Sequence, residues 1–267
     1  MNRNAQGHAK LPFALELVDV RKCFGKTEVI VGATMRVKEG ERVAVIGPNG
    51  AGKSTLFDLI SGRTALGSGE IRLHGERTDG LRPFEICRKG LARSFQVSNL
   101  FLNLSVFDNL RCAVLWSLGY RYAFWKFLSR LRDANERAEQ VMKQVRLGKQ
   151  RDVLAMHLPY AGQRALEVGL TIAGGADVLL LDEPTAGMGR AQAQEFVELI
   201  REISVGRTLV MVEHDMDVVF GLADRIAVLA RGQVIAFDTP AAVRADPRVQ
   251  EAYLGAMPAR RPAERVA

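Results

Sequence analysis

The spacing of apolar positions changes several times along the chain, and each change marks an element. LELVDVRKCF and VIVGATMRVKEG alternate apolar with polar residues, and a Glu-Gly turn then leads into RVAVIGP. That period of two predicts strands through the first 48 residues. A helix is predicted within GPNGAGKSTLFDLI, stopping at Ser61-Gly62, where glycine can take the left-handed conformation that ends helices. Further on, VLLLDEP and TLVMVEH are continuous apolar runs, the pattern of strands buried on both faces. Between them Phe196, Leu199, Ile200 and Ile203 recur at helical spacing. Strand, helix, strand in this order predicts a parallel α/β sheet. RIAVLA and QVIAFDT, joined around Arg231-Gly232, predict a hairpin before a C-terminal helical segment.

Between about 97 and 157 the texture differs. Trp116, Tyr120, Tyr122, Phe124, Trp125 and Phe127 cluster, and Ala138, Val141, Met142 and Val145 follow at helical spacing. This predicts a helical subdomain. The aromatic cluster is read as core or partner packing in preference to a membrane-surface patch or stacking on RNA, and no nucleic-acid partner is expected.

Composition narrows the picture. The chain has 267 residues, 48% of them hydrophobic, enough for one large domain or two small ones with a substantial core. The longest apolar runs fall far short of the roughly 20 residues that span a bilayer. The N-terminal MNRNAQGHAK does not resemble a secretory signal, so residence in the cytosol is expected. Cys23, Cys87 and Cys112 lack metal-ligand spacing and are expected to be packing residues. The net charge of +7 carries little weight, because a mild excess is often only a solvated surface.

The chemistry concentrates at three strand ends. GPNGAGKS at 47–54 fits G-x-x-x-x-G-K-[ST] directly after RVAVI and at the opening of a helix. Gly47, Gly50 and Gly52 let the backbone N–H groups converge on phosphate oxygens, and the helix dipole adds to the attraction. Lys53 is placed for β- and γ-phosphates, Ser54 for Mg²⁺ and Thr55 for the α-phosphate. Asp182 and Glu183 end an apolar strand, where α/β proteins bind ligands. Asp182 suits a Mg²⁺ shell and Glu183 a base that orients attacking water. His214 ends another such strand, TLVMVEH, for contact with a γ-phosphate or for holding the water and base.

In these motifs the chain resembles the ATP-binding subunits of ABC transporters, from Leu15 to about Leu254. GPNGAGKST looks like the family's Walker A and VLLLDEP like its Walker B. The resemblance implies an α/β fold: a P-loop NTPase (RecA-like) core with an N-terminal antiparallel β subdomain and an inserted α-helical subdomain. It implies one nucleotide-binding domain over 13–254, with the helical insertion at about 97–175 and tails at 1–12 and 255–267. ATP and Mg²⁺ are the implied cofactors, with Asn49 and Ala51 joining the Walker A cradle. Phe24 in KCFGK looks like the aromatic that stacks on adenine, and Gln96 like the Q-loop glutamine that touches Mg²⁺ and senses the membrane subunit. His214 looks like the switch histidine and TAGM at 185–188 like the D-loop.

GLARSFQ, LFLNLSVFDNL, VEHDMDVV and ADRIAVLARGQVIAFDTP are similar to importers of branched-chain amino acids, a branch that also includes carriers of urea, amides and other small polar solutes. The implied function is an ATPase subunit that dimerises with a second ATP-binding subunit, identical or different. It drives two transmembrane permease subunits and, through them, works with a periplasmic solute-binding protein. The implied location is peripheral, on the cytoplasmic face of the inner membrane. The alternatives are a non-transport ABC-type ATPase and the ATPase of a lipid or polysaccharide exporter.

LPYAGQR lies where such proteins carry L-S-G-G-Q, the signature that closes on the partner subunit's γ-phosphate. Pro159 replaces the serine, Tyr160 takes a variable position, Ala161 replaces a glycine, Gly162 takes the usual glutamine's place and Gln163 continues the motif. Proline lacks a hydroxyl and an N–H, and alanine adds a methyl. Two readings stand: a weakened signature, or an unusual one started by proline at the first helical position, whose remaining N–H groups still face phosphate.

Overall fold

The computed structural model describes residues 13–94, 100–120 and 131–254. The opening alternation forms β1 (Phe13–Phe24) and β2 (Thr27–Lys38), a hairpin that joins β4 (Ser68–Leu73) and β5 (Glu76–Arg77) in a four-stranded antiparallel sheet. A second sheet has the order β10-β9-β3-β8-β7-β6. Its members are β3 (Arg42–Ile46), β6 (Leu91–Arg93), β7 (Val178–Asp182), β8 (Thr208–Val212), β9 (Arg225–Ala230) and β10 (Gln233–Asp238). All neighbours in it pair parallel except β10, which returns antiparallel to β9 through the predicted Arg231-Gly232 turn, both residues at positive φ.

The central strands explain their own continuous apolar runs. Ala44, Ile46, Leu179, Leu181, Leu209 and Met211 face one core, whereas Val43, Val45, Val178, Leu180, Val210 and Val212 face another. The first core contains Phe196, Leu199, Ile200 and Ile203 of α6 (Arg190–Ile203). The second holds α1 (Lys53–Ile60) between this sheet and the antiparallel one, through Leu56, Phe57, Leu59 and Ile60. Each fully buried leucine, isoleucine or phenylalanine contributes about 1.5–3 kcal/mol, so the sheet edge that carries the chemistry rests on a rigid base. α1 ends where the sequence predicts, at Ser61 and the left-handed Gly62.

The predicted helical region contains α3 (Val106–Ser117) and α4 (Arg132–Gln144), which pack on each other and on α5 (Tyr160–Ala173). Ala138, Val141, Met142 and Val145 are buried there as their spacing implies. Of the aromatic cluster, Tyr120 is described, and its hydroxyl donates to Asp133 at 2.8 Å. Tyr122, Phe124, Trp125, Phe127 and the Trp116 side chain lie outside the described residues, as do 1–12 and 255–267. The remaining helices are α2 (Pro83–Arg88), α7 (Met216–Leu222), α8 (Pro240–Ala245) and α9 (Pro247–Leu254). Among the described residues, no helix is long and apolar enough to cross a membrane.

The cysteines depart from expectation. Cys23 and Cys87 are exposed and Cys112 is half-buried, so packing accounts for none of them fully. Cys23 lies near the end of β1, Cys87 in α2 and Cys112 in α3, and apolar spacing there did not distinguish an inward from an outward position.

Candidate nucleotide-binding edge

β3, β8 and β7 are parallel neighbours, so their carboxyl ends open on the same edge, and each continues into one of the predicted motifs. After β3 the backbone turns through 47–52. A Cβ on Gly47 would lie 2.0 Å from the Leu229 carbonyl oxygen, so only glycine fits. Gly52 caps α1 in the left-handed conformation (φ 103°), and its carbonyl accepts from the Leu56 N–H at 2.8 Å. No side chain caps this helix, which leaves the first-turn N–H groups of Lys53, Ser54 and Thr55 without acceptors one turn back. The Gly232 N–H holds the loop from the side by donating to Ala51 at 3.1 Å. Ala51 is buried, whereas Asn49, Gly50 and Ser54 are exposed.

Lys53 arches back over the loop, its ammonium donating to the carbonyls of Gly47 at 2.8 Å and Pro48 at 3.1 Å. Burial pulls its pKa below the ordinary lysine value, opposed by the carboxylates of Glu183 and Asp182. All three groups therefore share one electrostatic site.

Asp182 closes β7 with a fully buried side chain. Its Oδ2 accepts from Arg93 at 3.0 Å, while Oδ1 is buried without a hydrogen-bond partner. A buried carboxylate oxygen left in that state is costly, and a cation would satisfy it. One carboxylate and the Ser54 hydroxyl make the sparse protein donor set that Mg²⁺ accepts when phosphates and water complete its shell. The residues present fit that ion.

Glu183 follows with φ of 46°, a left-handed conformation unusual for a non-glycine residue, held by its N–H donating to Val212 at 2.9 Å. Its Oε1 lies 3.8 Å from His214 Nδ1. The strand itself stops at Val212, two residues short of His214, whose side chain is largely exposed.

The residue between them, Glu213, was missed by sequence reasoning. It is 1% exposed, and its Oε1 accepts from both the Thr185 hydroxyl, at 2.7 Å, and the Thr185 N–H, at 3.1 Å. Its other oxygen accepts from the His214 N–H at 3.1 Å. Glu213 thus pins the turn after β7 to the end of β8. The available signal was an acid ending an otherwise apolar run.

Phe24 ends β1 with 51% exposure, its ring 5.1 Å from the Lys22 ammonium. The hairpin it belongs to continues along β2, where Val29 and Ile30 lie against Gly52. Gln96 falls outside the described residues.

LPYAGQR forms the start of α5, but Pro159 is the N-cap, not the first helical residue, because its ψ of 157° is extended. The expectation of proline at the first position is corrected by one residue, and the shift matters. The carbonyl of Pro159 accepts from the Gln163 N–H at 3.0 Å, and the first-turn donors are the N–H groups of Tyr160, Ala161 and Gly162. The N–H that proline lacks therefore lies outside that set. Tyr160 fixes the helix start: its hydroxyl donates to the Ala186 carbonyl at 2.8 Å and accepts from Arg164 Nε at 3.0 Å.

Residues 30–186 match the family described as ABC transporter, and residues 233–258 match the family described as branched-chain amino acid ATP-binding cassette transporter. The chain is 34% identical to the high-affinity branched-chain amino acid transport ATP-binding protein BraF of Pseudomonas aeruginosa, over 90% of this chain and 97% of that protein. It is 34% identical to LivG of Escherichia coli, a protein of the same description, over 87% of this chain and 94% of that one. A crystal structure of an ATP-binding cassette of an ABC transporter in its ADP conformation superposes with a TM-score of 0.80 at 25% identity, covering 91% of this chain and 99% of the other.

Proposed function

The chain belongs to the ABC transporter ATP-binding family, and from that premise we propose that it powers an importer of branched-chain amino acids or a related small polar solute. It is an ATPase. The observation that carries the assignment of its site is the convergence of Lys53, Asp182 and Glu183 at one sheet edge, where both carboxylates act on the lysine ammonium. The family match over 233–258 and the names of BraF and LivG support the solute class.

In this proposal Phe24 stacks on adenine, while the N–H groups of Asn49 through Thr55 and the Lys53 ammonium bind the phosphates. Ser54, Asp182 and Gln96 hold Mg²⁺, which when bound neutralises charge on the β- and γ-phosphates. Glu183 accepts a proton from water as the water oxygen bonds to the γ-phosphorus, and the bridging oxygen leaves with its electron pair on ADP. His214 keeps that carboxylate and the water in register, and Glu213 holds the two strand ends together. The nucleotide domain spans 13–254 with its helical subdomain at about 97–175, and it works on the cytoplasmic face of the membrane against two permease subunits that receive solute from a periplasmic binding protein.

The start of α5 serves the ATP of the second ATP-binding subunit. Tyr160, Ala161, Gly162 and the Gln163 side of the turn face that γ-phosphate, and only the hydroxyl at Pro159 is lost. A hydrogen bond to a charged group is worth about 1.5–3 kcal/mol, so Pro159→Ser in the assembled transporter should raise turnover at the partner's site by roughly tenfold. Ala161→Gly, which adds no donor, should change little. Single-turnover hydrolysis in each variant checks this, and equal rates in Pro159→Ser and the parent would exclude the role given to the missing hydroxyl.

The function itself is tested in proteoliposomes containing this chain with its permeases. Adding the binding protein loaded with leucine, isoleucine or valine should stimulate ATP hydrolysis. Stimulation by an amide or urea alone would reassign the solute, and hydrolysis that responds to no solute would sink the importer assignment.

A further inference from the structure

We propose that Arg93 is a positioning residue that fixes the Asp182 carboxylate from behind. The proposal rests on the assignment of Asp182 to the metal. Arg93 ends β6, the edge strand, with a side chain only 7% exposed. One arm of its guanidinium, Nη1, donates to Asp58 Oδ1 at 2.6 Å and to Ser61 Oγ at 3.0 Å, both at the C-terminal end of α1. The other arm, Nη2, donates to Asp182 Oδ2 at 3.0 Å. The Phe57 ring lies 5.6 Å beneath the cation. A single planar fork therefore joins the helix that follows the phosphate loop to the strand that carries the buried carboxylate.

Asp182 has one oxygen bonded and one without a partner, so fixing Oδ2 also fixes where the lone pairs of Oδ1 point. A donor that orients a ligating carboxylate in this way raises metal affinity without touching the metal. Lysine cannot replace Arg93, since a point charge cannot reach both carboxylates with fixed geometry.

The test uses the full chain and a fluorescent ATP analogue, with Mg²⁺ as the titrant and nucleotide binding as the readout. Arg93→Lys should leave Mg²⁺-free binding unchanged but raise the Mg²⁺ concentration for half-maximal enhancement about tenfold or more. If that variant does not fold, the charge-balanced pair Arg93→Gln with Asp58→Asn should show the same shift. A midpoint equal to that of the parent chain in whichever of these variants folds overturns the proposal. Asp182→Asn run alongside separates the two layers: if it also leaves the midpoint unchanged, the metal assignment fails, whereas if it alone shifts the midpoint, only the role of Arg93 fails.

Discussion

Glu183→Gln is expected to lower ATP turnover by about 10²- to 10⁴-fold, the usual worth of a positioned general base, while leaving ATP binding intact. The amide keeps the shape and one acceptor oxygen of the carboxylate but cannot take the proton of the attacking water. The fold does not rest on this carboxylate: the Glu183 side chain is part-exposed, and its backbone N–H makes the bond to Val212. ATP that binds and is not cleaved should hold the two ATP-binding subunits closed, so the variant should accumulate as a trapped dimer. Phosphate release measured beside nucleotide occupancy checks both halves, and parental turnover in purified Glu183→Gln transporter would remove Glu183 as the base.

Lys53→Ala acts one step earlier. The ammonium donates to two loop carbonyls and sits among the carboxylates of Glu183 and Asp182. With phosphate present, its charge-assisted hydrogen bond, worth about 1.5–3 kcal/mol, goes to the nucleotide, so its removal should weaken binding roughly 10- to 100-fold. Two buried or part-buried carboxylates also lose their nearest cation on that side, which adds repulsion toward the triphosphate. Nucleotide titration of the purified variant measures the effect. Binding equal to the parent would show that the ammonium serves only to close the loop.

The fold was largely legible, and its physics says why. β7 and β8 bury both faces, so their apolar runs have no polar alternation to misread, and Phe196 through Ile203 could satisfy only a helix against that sheet. The glycine-rich turn between β3 and α1 was equally plain, because its spacing is local, and its Gly47 stands where any Cβ would collide with Leu229. Less legible was everything that depends on one side chain reaching another across the chain. Arg93 is 89 residues from Asp182, and no periodicity links them. Glu213 looked like the tail of a strand, because only the structure brings Thr185 against it. The left-handed turn at Glu183 leaves no mark in composition, since glutamate seldom adopts it. Pro159 was misplaced by one residue because proline suits both the cap and the first turn of a helix, and ψ alone separates them. That single position decides which N–H groups open the first turn of α5.

The most direct test is a cryo-EM structure of the assembled transporter carrying Glu183→Gln, frozen with Mg-ATP. The expected map has the triphosphate over 47–55 with Lys53 turned from its loop carbonyls onto phosphate, the metal between Ser54 and Oδ1 of Asp182, and the first turn of α5 facing the γ-phosphate held by the other ATP-binding subunit. A nucleotide bound away from this edge, or an α5 start that faces no phosphate in the closed dimer, would contradict it.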